Sequence, residues 1–61
     1  MPIVTVLQSP RDIERKRRLV AGITEAFVDA YELRPEAVQV YINEVGDDNW
    51  AKAGKLAADG K

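Results

Sequence analysis

The chain of 61 residues predicts one α/β domain over residues 1–61, a β-α-β unit with parallel strands, a long amphipathic helix and a short C-terminal hairpin. Three observations carry that expectation. A β-branched run follows Pro2, a stretch from Pro10 to Tyr31 shows an apolar face of helical period, and a strictly alternating segment begins at Val38.

Ile3-Val4-Thr5-Val6-Leu7 is β-branched or aliphatic throughout, which suits a strand covered on both faces by the fold or by a partner. Pro2 fits ahead of it, because a missing N–H is tolerated at the first residue of a strand. Ser9-Pro10-Arg11-Asp12 reads as a helix start, with Ser9 as cap, Pro10 in the first turn and Asp12 closing a capping box. Ile13, Val20, Ile23, Phe27 and Tyr31 then share one face, widened by Leu19, Ala26 and Ala30. The helix is predicted over residues 10–31, with Gly22 as its weak point. Pro35 turns the chain. Val38, Val40 and Ile42 then alternate with Gln39, Tyr41 and Asn43 in a half-buried strand over residues 38–43. Gly46-Asp47-Asp48-Asn49 is turn chemistry, and residues 50–61 are expected to form a small hairpin with a frayed tail.

Length and composition add a constraint. A chain this short buries only about 60% of the surface that its unfolded form exposes, and such domains usually need a staple. Cysteine and histidine are absent, which excludes disulfides, zinc fingers, haem ligation and catalysis by either residue. At 46% hydrophobic and 31% charged, the chain is nonetheless one that folds. Two strands cannot cover so long a helix, and parallel sheets need both faces buried, so a second copy has to extend the sheet. An obligate homo-oligomer is expected, with active sites shared between subunits. Nine Lys+Arg against ten Asp+Glu leave a net charge of -1, which argues against a nucleic-acid partner. Apolar runs fall far short of the ~20 residues of a membrane span, and no cationic region precedes an apolar one at the N-terminus. A cytoplasmic protein is expected.

Chemistry points first to Pro2. Removal of Met1, favoured by a small second residue, would leave a secondary amine at the start of a strand. An α-amino group ordinarily titrates near ~7.7–8.0, and burial or a nearby cation lowers that value. A neutral amine at pH 7 serves as a general base or as a nucleophile toward carbonyls. With Met1 in place the nitrogen is an amide and does neither. The plain alternative is that Pro2 only starts a strand. Arg11, at the loop-to-helix junction, offers a planar fork suited to a carboxylate and would also supply the cation that lowers the Pro2 amine, against the alternative of a solvated arginine poorly placed for the helix dipole. The run Arg15-Lys16-Arg17-Arg18 spreads around the helix and reads as a solvated face with salt bridges between subunits. Trp50 has the area to wall an apolar pocket or to fill an interface. Asp47-Asp48 has no third ligand at a recognisable spacing, so no metal site is expected. No Gly-rich phosphate loop is present.

Pro2-Ile3-Val4 at the start, Ser9-Pro10-Arg11 before the helix, Asn43-Glu44-Val45, and Asn49-Trp50-Ala51-Lys52-Ala53-Gly54 together resemble the 4-oxalocrotonate tautomerase family of the tautomerase superfamily. The resemblance extends from Pro2 to about Leu56. It implies a β-α-β protomer assembled as a hexamer, a trimer of dimers, with active sites at subunit boundaries. It also implies cofactor-free proton transfer between enol and keto forms of 2-oxo acids. By that resemblance Pro2 is the general base, Arg11 binds the far carboxylate of the substrate, and Trp50 stands where the family has mostly phenylalanine or tyrosine as an apolar wall. Gln39 departs from the pattern, since well-studied members place a second arginine there to handle the reacting end. Glutamine donates a hydrogen bond but brings no charge, which disfavours dicarboxylates and favours aryl enolpyruvates. Two further readings stand beside the tautomerase. One is a dehalogenase or hydratase of the same superfamily, for which Glu44 and Asp48 are the acids near Trp50. The other is a non-catalytic oligomeric scaffold or binding module.

Overall fold

The structure, a computed structural model, describes residues 1–60. Its elements run β1 (Ile3–Gln8), α1 (Ile13–Tyr31), β2 (Gln39–Glu44), β3 (Ala51–Lys52) and β4 (Lys55–Leu56), with single 3-10 turns at Pro35–Ala37, Asp47–Asn49 and Ala57–Asp59. β1 and β2 pair in parallel, from Ile3 opposite Gln39 to Gln8 opposite Glu44. The β-α-β unit is therefore as the sequence predicts, since a helical crossover returns the chain in the direction it left. The ladder continues past both strands. The Gln39 N–H donates to the Pro2 carbonyl at 3.1 Å, and the Val45 N–H to the Gln8 carbonyl at 2.8 Å.

Boundaries shift where another hydrogen bond competes. α1 begins three residues later than expected, because Asp12 rather than Ser9 is its cap. Asp12 is extended at φ -69°, ψ 157°, and its carboxylate accepts the Arg15 N–H at 3.0 Å. The Arg11 N–H is already taken, donated at 3.0 Å to the Glu44 carboxylate of β2. β2 starts one residue later than expected because the Val38 N–H donates to the Pro35 carbonyl at 3.1 Å, closing a 3-10 turn.

β3 and β4 form the expected hairpin around Ala53-Gly54, both at positive φ of 55° and 79°, the signature of a type I′ turn. Its tail is ordered rather than frayed as far as Gly60. The Ala57 N–H donates to the Trp50 carbonyl at 2.7 Å, and a 3-10 turn follows. Lys61, included in the expected frayed tail, lies outside the described residues.

The half-buried stripe of α1 is Lys16, Val20, Ile23, Thr24, Phe27 and Val28, a helical spacing of four, three, one, three and one. Thr24 and Val28, rather than Ala26 and Ala30, complete it. Leu19, Ala26, Ala30 and Tyr31 stay exposed as a second small-to-large stripe. Val4 and Val6 of β1 and Val40 and Ile42 of β2 are half-buried, while Ile3, Leu7 and Tyr41 alternate onto the other face at 60%, 62% and 60% exposure. Among the described residues none is fully buried. The radius of gyration is 15.0 Å, where a compact chain of this length has about 10.5 Å. The accessible surface is 4996 Å², against about 4,000 Å² for a compact monomer of the same mass. No helix among the described residues is long and apolar enough to cross a membrane.

Candidate active site

The parallel register decides which predicted residues meet. Pro2 precedes Ile3, whose partner is Gln39, and the hydrogen bond from the Gln39 N–H to the Pro2 carbonyl ties the two together at one end of the sheet. Pro2 is half-buried there, and Gln39 is exposed. The nitrogen of Pro2 carries Met1, which is 81% exposed and so open to removal.

Arg11 sits beyond the other end of β1. Six residue steps of about 3.3 Å separate Pro2 from Gln8, so roughly 20 Å of strand lies between the proline and the loop that carries the arginine. Within one protomer Arg11 therefore does not supply the cation beside the Pro2 nitrogen. The loop is held from β2. Glu44 accepts the Arg11 N–H and also pairs with Lys16, whose Nζ lies 2.9 Å from the same Oε2. Its carboxyl is held below the usual range, first by the Arg11 main-chain hydrogen bond and then by Lys16, with desolvation opposing. The buried amide of Gln8 adds a smaller pull without reaching hydrogen-bonding geometry.

The guanidinium of Arg11 donates from Nη1 to the Pro10 carbonyl at 3.1 Å and has no carboxylate partner among the described residues. Its neighbours do: Arg15 lies 3.5 Å from Asp12, and Arg17 2.9 Å from Glu14. The salt bridges expected between subunits are thus made within the protomer for Arg15, Lys16 and Arg17. Arg11 borders a cleft of about 160 Å³ with Gln8, Arg15, Lys16 and Leu19.

Trp50, 36% exposed, lines a second cleft of about 210 Å³ with Leu7, Val45, Asn49 and Ala51. This is the outer face of the sheet near the end of β1. The four predicted residues thus occupy three places, and only Pro2 and Gln39 touch. Among the described residues no group of three or more acidic side chains gathers as a metal-binding set. Sequence reasoning placed Glu44 in a motif but missed its clamp, because the contact spans 33 positions. Only the register of the parallel pair, with Gln8 opposite Glu44, could have located it.

Comparison with known proteins gives this geometry a context. Residues 2–60 match the family model described as tautomerase enzyme. A probable tautomerase of Halalkalibacterium halodurans is 40% identical over 60 residues, covering 97% of this chain and 98% of that protein. The 2-hydroxymuconate tautomerase of Bacillus subtilis is also 40% identical over 60 residues, with 97% of each chain covered. The crystal structure of a 4-oxalocrotonate tautomerase homologue superposes with a TM-score of 0.93 at 34% identity, covering 100% of this chain and 98% of that one.

Proposed function

The chain belongs to the 4-oxalocrotonate tautomerase family of isomerases, and we propose that it interconverts enol and keto forms of 2-hydroxy-2,4-dienoate or aryl enolpyruvate type 2-oxo acids without a cofactor. After Met1 is removed, the Pro2 amine accepts the proton of the 2-hydroxyl group and returns it to carbon 3 or carbon 5 as the carbonyl forms. In a dienoate that carries a second carboxylate, Arg11 pairs with that group and draws electron density toward it. Gln39, tied to Pro2 through the ladder, donates a hydrogen bond to the oxygen at the reacting end. Trp50 supplies an apolar wall that keeps the amine neutral.

One observation supports this reading above the others: among the described residues the Arg11 guanidinium has no carboxylate partner, while Arg15, Lys16 and Arg17 beside it are each paired. Because Pro2 and Arg11 lie at opposite ends of β1, the complete site needs two subunits, which agrees with the hexamer that the family resemblance implies. The uncovered outer face of the sheet, with Ile3, Leu7 and Tyr41, is the surface available for that assembly.

The test is ketonisation of 2-hydroxymuconate and phenylenolpyruvate, followed by absorbance, on protein whose mass shows loss of Met1. Turnover is expected, with Pro2→Ala losing at least about a hundredfold in kcat, the scale of general-base catalysis. Arg11→Ala should raise KM for 2-hydroxymuconate by about tenfold or more, the scale of a lost charge-assisted contact. Wild-type rates in Pro2→Ala would remove the amine from the mechanism. No turnover of either enol by processed, assembled protein would favour the scaffold.

A further inference from the structure

Glu44 does two things with one oxygen. Its Oε2 accepts the Arg11 N–H at 3.0 Å and receives Lys16 Nζ at 2.9 Å. The first bond reaches across 33 positions from the end of β2 to the four-residue link between β1 and α1. The next residue, Asp12, is fixed as the helix cap by its bond to Arg15. Two successive residues of a short link, Arg11 and Asp12, are thereby anchored, the first to the sheet and the second to the helix, and the Arg11 side chain leaves from the first of these anchors. The second bond matters for a different reason. A carboxylate this close to Arg11 is the natural competitor for its guanidinium, and an ion pair there would occupy the fork that a substrate needs. Instead the charge of Glu44 is satisfied by Lys16, while the Arg11 Nη1 turns to the Pro10 carbonyl.

We infer that Glu44 is a positioning residue for Arg11, fixing the main chain that carries the guanidinium, and that Lys16 holds the Glu44 charge away from that guanidinium. The inference rests on the role of Arg11 proposed above. It extends the site to a residue of β2 and a residue of α1 that touch no substrate. A side chain acting this way affects the binding of one substrate group rather than the proton transfer itself. It therefore shows in KM and only for substrates that carry the far carboxylate.

The experiment compares E44A, E44Q, K16M and R11A, each processed to Pro2, on 2-hydroxymuconate and on 2-hydroxy-2,4-pentadienoate, which lacks the far carboxylate. E44A is expected to raise KM for 2-hydroxymuconate about tenfold, the scale of a lost charge-assisted hydrogen bond, with kcat within about twofold. E44Q keeps an acceptor for the Arg11 N–H and should restore part of that loss. K16M should also raise KM for 2-hydroxymuconate, because Glu44 is then left to pair with Arg11. None of the three should move KM for 2-hydroxy-2,4-pentadienoate by more than about twofold. Equal effects on both substrates, or a loss confined to kcat, would reduce Glu44 to a structural staple and overturn the inference. If R11A is selective for 2-hydroxymuconate while E44A and K16M are not, the inference alone fails. If R11A treats both substrates alike, the role of Arg11 fails and takes the inference with it.

Discussion

Glu44 shows how much one side chain can organise at the residue scale. Its carboxyl is held low mainly by the Arg11 N–H and then by Lys16, so its folded pKa lies below the unfolded one. The stability it adds is complete above the unfolded value of about 4.3 and is lost as pH falls through the lower folded value. Glu44→Gln should therefore melt below the parent at pH 7, and the gap should close as the solution is acidified from about pH 5 through that folded value. Calorimetry or circular dichroism across that range measures it. A gap that stays constant in acid would mean that the negative charge contributes nothing. Pro2 and Arg11 stood out in the sequence as candidates because their residue types are unusual where they stand. Glu44 stood out only as an acid near Trp50, and its bonds to Arg11 and Lys16 were not legible, since a glutamate at a strand end is ordinary until the fold shows what lies beside it.

At the scale of elements, the β-α-β order was legible because the runs at Ile3 and Val38 and the helical period between them are unambiguous. The ends were not. Ser9 and Asp12 are equally good caps in a sequence; the Arg11 N–H, which a cap at Ser9 would use, is donated to Glu44, and Asp12 is the cap. The other end of α1 carries a visible flaw. Glu32 adopts a left-handed conformation at φ 56°, ψ 48°, where glycine is favoured, and it places a negative charge beside the carbonyl end of the helix dipole. Glu32→Gly should stabilise the protein by about 1 kcal/mol, read as a higher denaturant midpoint with an unchanged slope. A lower midpoint would mean that the Glu32 side chain makes contacts outside its own protomer.

For the whole molecule, the surface excess of about 1,000 Å² and the absence of any fully buried residue among those described set the terms. Half a core is present, and Leu7, at 62% exposure, is one of the large apolar side chains left uncovered on the outer face of the sheet. Leu7→Glu should shift sedimentation from an assembled species toward the 6.8 kDa chain and lower its helical signal at the same concentration. An unchanged assembly would put the contact on the other exposed stripe, at Leu19, Ala26 and Ala30. β1 has one more consequence. If the proposed base stands at the head of the strand and the proposed anion-holding loop at its foot, each copy is a donor to one site and a recipient at another. On the proposed shared site, a chain defective at both ends spoils two centres when it joins healthy copies, so its harm outruns its numbers. Two chains defective at opposite ends can instead pair their sound halves into a working centre, so a mixture regains what neither has alone.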